Sequence, residues 1–322
     1  MVITPKAGHT PTNQAMFASL STWEIVSLLS KLCWYLGVTG VAGGIASVWI
    51  LADHSRRGLQ WSVLFTLAGA LLGFHGVIFY FLAQVGAASN TGLTGMFNWG
   101  LISFYLNLGV GETSLLRMGI FLTLVLGQLF TIGYLKRLTR PPGQAFFRFF
   151  YRLNGIAVLI LLLSFQATGH TAPLGLAARV AIILHVLCVA LWLGSLVPLL
   201  RSTHQFEPGQ VRFIMGQFSR RATVMVSVLL AAAGLLVVNL IASPGELFSS
   251  AYGLNLLLKT ALVSVMLSLA ALNRWWLVPK LESPGGIYQL RRSIALETVV
   301  GLLVLAVTVY LSTVIGPLTH SE

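Results

Sequence analysis

Three histidines lie in long apolar stretches of the chain, where an ionisable side chain is costly to bury. His170 and His185 both fall in ATGHTAPLGLAARVAIILHVLCVALWLGSL, residues 167–196, and His75 lies in an earlier stretch. An ionisable residue within a membrane-spanning segment commonly marks a substrate or ion pathway. Imidazole is a good copper ligand. These histidines are therefore candidate metal ligands.

Softer ligand atoms follow His185 along the same helical face. Cys188 and Trp192 come three and seven residues later, which is the spacing of neighbours on one side of a helix. Met96 and Met118 lie close to the ends of their own segments. Thiolate and thioether groups suit cuprous copper. Ordinary apolar packing of the cysteine and the methionines, and hydrogen-bonded packing of any one histidine, stay open as alternatives.

The composition places these side chains in a lipid bilayer. The chain has 322 residues, of which 56% are hydrophobic and only 9% charged, whereas about a quarter of a soluble protein is charged. The formal charge of +12 is divided among short clusters between apolar runs. That distribution is typical of membrane orientation and does not indicate nucleic-acid binding. No hydrolytic triad, phosphate loop, HExxH or CxxC motif is present, so we do not expect an enzyme.

Eight segments are long enough to cross a bilayer, which takes roughly 20 apolar residues. They predict an all-α polytopic membrane helix bundle with eight transmembrane helices. Their approximate limits are 24–52, 61–86, 115–135, 154–170, 177–200, 222–243, 254–276 and 293–316.

A ninth segment, 91–110, is also long, but it contains two asparagines and four glycines. If it does not cross, 15 of the 20 basic residues fall on one side of the membrane. They are Arg56, Arg57, Lys136, Arg137, Arg140, Arg148, Arg152, Arg201, Arg212, Arg220, Arg221, Arg274, Lys280, Arg291 and Arg292. Basic loops stay on the cytoplasmic side. We therefore predict an outer re-entrant or interfacial segment at 91–110, and both termini on the outer, periplasmic side.

This topology places the histidines along one predicted path. His170 lies at the outer mouth of the fourth span. His185 is roughly 13 Å deep in the fifth, and His75 is roughly 21 Å up the second span from the inner side. Charged residues near the span ends are expected to be peripheral. Arg117 and Lys259 should reach the headgroups, and Glu297 should pair with Arg291 or Arg292.

The two halves of the chain share a pattern that predicts a parallel 4+4 internal repeat. A glycine is followed six residues later by a basic residue in GETSLLR, 111–117, and in GLNLLLK, 253–259. The predicted units are an N-terminal periplasmic segment, 1–22, a first four-helix half, 23–173, and a second four-helix half, 174–318. Four spans in each half give both halves the same orientation.

The second half resembles the copper-resistance protein D family, CopD, of bacterial inner-membrane proteins. The resemblance extends over roughly 167–317. It rests on ATGH, 167–170; HVLCVALWLGSL, 185–196; FSRR, 218–221; AGLL, 233–236; YGLNLLLK, 252–259; LNRWWLVP, 272–279; RSIALETVVG, 292–301; and GP, 316–317.

This resemblance implies copper homeostasis at the bacterial plasma membrane, with copper ions moved across it. It maps the recurrent histidines of the family onto His170 and His185, while His75 rests on its predicted depth. It also implies a separate periplasmic copper carrier of the copper-resistance C type. Two alternatives stay open: an electron-transfer protein in which His75 and His185 hold haem b, and an assembly protein without a ligand.

Overall fold

The structure is a computed structural model that describes residues 20–51, 53, 55–89, 91–166, 175–240 and 245–315. These residues form ten α-helices and no strand. The helices are α1 (Thr22–Leu51), α2 (Arg56–Ser89), α3 (Trp99–Leu106), α4 (Gly109–Arg137), α5 (Gln144–Leu163), α6 (Leu176–Gln205), α7 (Pro208–Leu240), α8 (Glu246–Ser249), α9 (Ala251–Leu272) and α10 (Gly286–Tyr310). Helix α9 continues as a π-helix, Asn273–Leu277, and a 3-10 turn, Val278–Lys280; α10 continues as a π-helix, Leu311–Ile315.

Eight of these helices are long and apolar enough to cross a membrane, which confirms the predicted all-α bundle and its span count. The predicted interfacial segment, 91–110, forms a 3-10 turn, Leu93–Phe97, followed by α3. Helix α3 has eight residues and is about 12 Å long, too short to cross a bilayer. It also has no buried residue.

Several helices extend further toward the predicted inner side than the sequence indicated. Helix α7 begins at Pro208 rather than near 222, and α10 begins at Gly286 rather than near 293. The sequence pattern placed the arginines of these segments in loops. In the structure, Arg212, Arg220 and Arg292 are exposed on helical turns, where long cationic side chains can reach water.

Helix α1 lies at the centre of the bundle and packs against both α2 and α6. Glycines allow these helices to approach backbone to backbone. Gly37 and Gly40 of α1 face Gly73 and Gly69 of α2, and a methyl group at any of them would collide with the facing backbone or side chain. Small residues at such contacts are a common basis of helix association in membranes.

Corresponding helices of the two halves make corresponding contacts. Helix α1 packs against α2 and α5, and α5 packs against α4; in the second half α6 packs against α7 and α10, and α10 packs against α9. Helix α2 also packs closely against α4, whereas the corresponding helices α7 and α9 make at most a weak contact, so the contacts support the predicted repeat only in part. The repeat itself, the unit boundaries at 22, 173 and 318, and the periplasmic placement of the termini stay predictions.

Candidate functional site

His185 lies between three helices of the second half. It is half-buried on α6, beside the backbone of Leu229 on α7 and near Lys259 on α9. Its Nδ1 atom is buried and has no hydrogen-bond partner within the described part of the chain. A buried nitrogen without a partner destabilises a fold by roughly 1–3 kcal/mol. This imidazole therefore has a free coordination position inside the bundle.

The side chains that follow His185 on α6 are packed into the same half. Cys188 is 6% exposed and Trp192 is 3% exposed, as expected for one buried helical face. They form one cluster with Met266 of α9, and Met225 of α7 packs against that cluster. We call this set, His185, Cys188 and Trp192 with Met225 and Met266, the α6 face.

The two methionines of the α6 face could not be identified from the sequence. Met225 and Met266 come from different helices and have no distinctive spacing relative to His185. Only the packing of side chains from α7 and α9 against α6 brings the two thioethers and the Cys188 thiol into one cluster. The methionines that the sequence singled out lie elsewhere. Met118 packs against a cluster of the first half, and Met96 is half-buried in the 3-10 turn before α3.

At the end of the α6 face that is nearer the predicted inner side lies a buried carboxylate, that of Glu297. Trp192 Nε1 donates to Glu297 Oε1 at 3.0 Å, and Asn273 Nδ2 donates to Glu297 Oε2 at 2.9 Å. The pairing of Glu297 with Arg291 or Arg292 was a wrong prediction, since Arg291 donates to the Thr203 backbone oxygen at 2.8 Å.

That error follows from the early start of α10. Glu297 is eleven residues beyond Gly286, about 16 Å along the helix. The carboxylate therefore lies near the middle of the bundle, level with Trp192, whereas the arginines lie closer to the inner end of the helix. Glu297 is only 3% exposed.

His75 has different surroundings from His185, although the two lie at a similar depth. Gly76 of α2 abuts the backbone of Trp34 on α1. Gly43 of α1 contacts Gly194 of α6, and these two helices run in the same direction. Trp34 comes nine residues before Gly43, and His185 comes nine residues before Gly194, so Trp34 and His185 lie at the same depth. His75 itself is exposed on α2, with Nδ1 2.8 Å from the Leu71 backbone oxygen. The ring of His75 therefore lies at the surface of the helix bundle.

The predicted three-histidine set is therefore not assembled in the described structure. His170 lies outside the described residues. Within residues 20–51, 53, 55–89, 91–166, 175–240 and 245–315, no three His, Cys, Asp or Glu side chains form a group that could hold a metal. His75 and His185 do not face a common space, so the described residues do not fit a haem held between them. The assignment of the three histidines as ligands is untested, and the exposed position of His75 gives it less support than His185 has.

The basic residue at the outer end of the first half is buried, which corrects the expectation that it extends to headgroups. Arg117 is 5% exposed. Its Nε donates to Ser164 Oγ and its Nη2 donates to the Ser164 backbone oxygen, both at 2.8 Å. Its guanidinium lies 4.4 Å from the centre of the Trp34 ring. Arg117 and Lys259 hold equivalent positions after Gly111 and Gly253, and Trp34 and His185 are level.

Residues 212–311 match the family model of CopD, copper resistance protein D. The predicted resemblance to this family is confirmed over those residues, which are fewer than the roughly 167–317 expected. The match extends from α7 to the end of α10, so it includes Lys259, Met266, Asn273 and Glu297, while His185 on α6 lies outside it. Searches of curated proteins and of solved structures gave no match.

Proposed function

We propose that this chain serves copper homeostasis in the bacterial plasma membrane by moving copper ions across it along the α6 face. The CopD match and the eight spans support a membrane protein of copper resistance. The observation that carries the finer proposal is the buried, unpartnered Nδ1 atom of His185. Because a neutral imidazole nitrogen binds a metal through its lone pair, a copper ion would supply the partner that the described structure lacks.

The neighbouring side chains have the chemistry that a soft ion needs. Cys188 and Met266 lie in the buried cluster directly inward of His185. Thiol, thioether and imidazole groups can replace the hydration of cuprous copper, which cannot cross hydrocarbon as a bare charge. Passage along the α6 face requires its helices to separate, because Leu229 and Val300 close the cluster.

Two further features complete the proposal. His170 would receive the ion at the outer mouth, and a separate periplasmic carrier of the copper-resistance C type would deliver it. Lys259 lies near His185, and its ammonium would repel a bound copper ion more strongly where little water screens the charges. A charged Lys259 would therefore weaken the site, which favours release of the ion over storage.

The test compares two histidines at similar depth. In sealed vesicles, His185→Ala should abolish copper transport while the protein still inserts. The matched control His75→Ala should leave transport near the wild-type rate, because that ring faces outward. Normal transport by His185→Ala at normal abundance would overturn the proposed path. A Soret absorbance band in the purified protein that is lost in His185→Ala would instead support a haem protein.

A further inference from the structure

Glu297 is a carboxylate in the middle of the bundle that accepts hydrogen bonds from two neutral donors. The donors come from two other helical segments, Trp192 from α6 and Asn273 from the π-helix that follows α9. A carboxylate that is 3% exposed is strongly disfavoured in its charged form unless a cation balances it. Neutral donors orient the group without removing its charge.

The charged and titratable groups on the helices around Glu297 are engaged elsewhere or lie in other turns. On α6, Arg201 stacks on Trp61 and donates to Gln205. On the segment after α9, Arg274 donates to Thr223 of α7. The remaining groups on α1, α6, α7, α9 with its continuation, and α10 are Glu24, Lys31, Cys33, Tyr35, Arg179, His185, Cys188, His204, Arg212, Arg220, Arg221, Tyr252, Lys259, Lys280, Tyr288, Arg291, Arg292 and Tyr310.

None of these groups forms an ion pair with Glu297. The one salt bridge between described residues joins Arg212 and Glu282, which are both exposed. Among the described residues, the side chains that hydrogen-bond to the Glu297 carboxylate are Trp192 and Asn273. Glu297 is therefore a buried acid whose charge is balanced, within the described structure, by no neighbouring cation.

We infer that Glu297 is a proton-binding site in the interior of the membrane domain. Binding a proton converts the carboxylate to a neutral carboxylic acid, which removes the unbalanced charge. It also turns one acceptor oxygen into a hydroxyl donor. The Trp192 contact can persist in both forms, because the other carboxyl oxygen remains an acceptor.

Asn273 is the partner that must respond to this proton. Its Nδ2 donates to Glu297, while its Oδ1 is buried without a hydrogen-bond partner in the described residues. When Glu297 is protonated, its hydroxyl can donate to Asn273 Oδ1 after the amide turns over. The unpartnered acceptor of Asn273 thus gains a donor in the protonated form of Glu297.

The position of Asn273 extends the effect to the backbone. Asn273 is the first residue of the π-helix Asn273–Leu277, and single π-turns inside helices are frequent at functional sites. The proton on Glu297 therefore controls the contact that ties this irregular turn to α6 and α10. That contact lies at the inner end of the α6 face.

Coupling of this proton to copper movement rests on the proposed function, whereas proton binding itself does not. A negative Glu297 favours a cation on the α6 face, and a neutral Glu297 does not. Proton and copper ion would then occupy the face alternately, which couples their movements in opposite directions.

The first experiment measures the proton without copper. Infrared difference spectra of the wild-type protein in lipid, recorded between two pH values, should contain a carboxylic-acid carbonyl band. Glu297→Gln should lose that band, while the control Glu282→Gln should keep it, since Glu282 lies in an exposed salt bridge. A spectrum of Glu297→Gln identical to that of the wild type would overturn the assignment.

The glutamine variant is expected to fold, because it imitates the protonated acid. Its carbonyl can accept from Trp192 and its amide can donate to Asn273 Oδ1. Loss of the band together with loss of helical circular dichroism would not count as support. In that case Glu297→Asp, which keeps an acid with altered hydrogen bonds, must retain the band at a shifted frequency, and its absence there would refute the site.

The second experiment separates proton coupling from copper transport. Copper flux into wild-type vesicles should change when a pH gradient is imposed, by up to about tenfold per pH unit for one coupled proton. Glu297→Gln should give a flux that is independent of the gradient. Flux that ignores the gradient in both proteins refutes coupling, and absence of flux in the wild type refutes the proposed function but not the infrared result.

Discussion

The backbone of Gly43 in α1 lies directly against the backbone of Gly194 in α6. A methyl group added at Gly194 would lie 2.6 Å from the backbone nitrogen of Gly43, which is closer than nonbonded atoms can approach. This contact joins the central helices of the two halves, and it fixes the relative depth of Trp34 and His185. The site in the second half is therefore positioned by a crossing of α1 and α6 at which two glycines bring the helix backbones into direct contact.

Gly194→Ala should separate α1 from α6 and destabilise the protein by about 1–3 kcal/mol, the usual cost of overpacking. The matched control is Gly234→Ala on α7, where an added methyl group meets no atom within 4 Å. Thermal unfolding in detergent, followed by circular dichroism, measures both variants. Equal midpoints for the two variants would contradict the tight crossing.

The number and type of the helices could be predicted from the sequence, because apolar length alone decides whether a segment can span a bilayer. The helix ends could not be predicted, because arginines such as Arg212 and Arg220 remain solvated at the end of a helix as well as in a loop. The predicted partner of Glu297 was wrong for a related reason. Sequence distance favoured Arg291, six residues away, whereas the actual donors, Trp192 and Asn273, come from other helices.

The candidate site was predicted only in part. The shared buried face of Cys188 and Trp192 follows from helical spacing and is confirmed, while the place of His185 on that face rests on the spacing alone. The direction in which His75 points does not follow from its depth, since a helix at a given depth has both a packed side and a lipid side. Met225 and Met266 join the α6 face through tertiary packing, which no local spacing encodes.

Arg117→Lys should destabilise the first half by about 1–3 kcal/mol. A lysine ammonium cannot reproduce the planar fork that donates from Nε and Nη2 to Ser164, nor its stacking on Trp34. Arg57→Lys, at an exposed position, is the matched control and should be neutral. Chemical unfolding in detergent distinguishes them, and a neutral Arg117→Lys would mean that the guanidinium geometry is unimportant.

Trp192→Phe should remove the Nε1 donor from Glu297 while preserving most of the aromatic volume. The loss of one hydrogen bond to a buried carboxylate should cost about 1–3 kcal/mol. The destabilisation should shrink in the double variant with Glu297→Gln, because the neutral amide needs the donor less. Trp275→Phe, at a position 72% exposed, is the control. Additive effects of Trp192→Phe and Glu297→Gln would show that the two side chains are not energetically linked.

The orientation of the bundle can be tested by reporter fusions in bacteria. The 15 basic residues that define the predicted inner side predict cytoplasmic reporters after Gly143, between α4 and α5, and after Gly285, before α10. A fusion after Gly92, in the segment between α2 and α3, should report the periplasm. The fusion after Gly92 is informative because α3 is too short to cross the membrane. The end of α2 and the start of α4, which α3 connects, must therefore lie on the same side. A cytoplasmic signal at Gly92 with periplasmic signals at the other two positions would invert the protein, and His185 would then be reached from the cytoplasm.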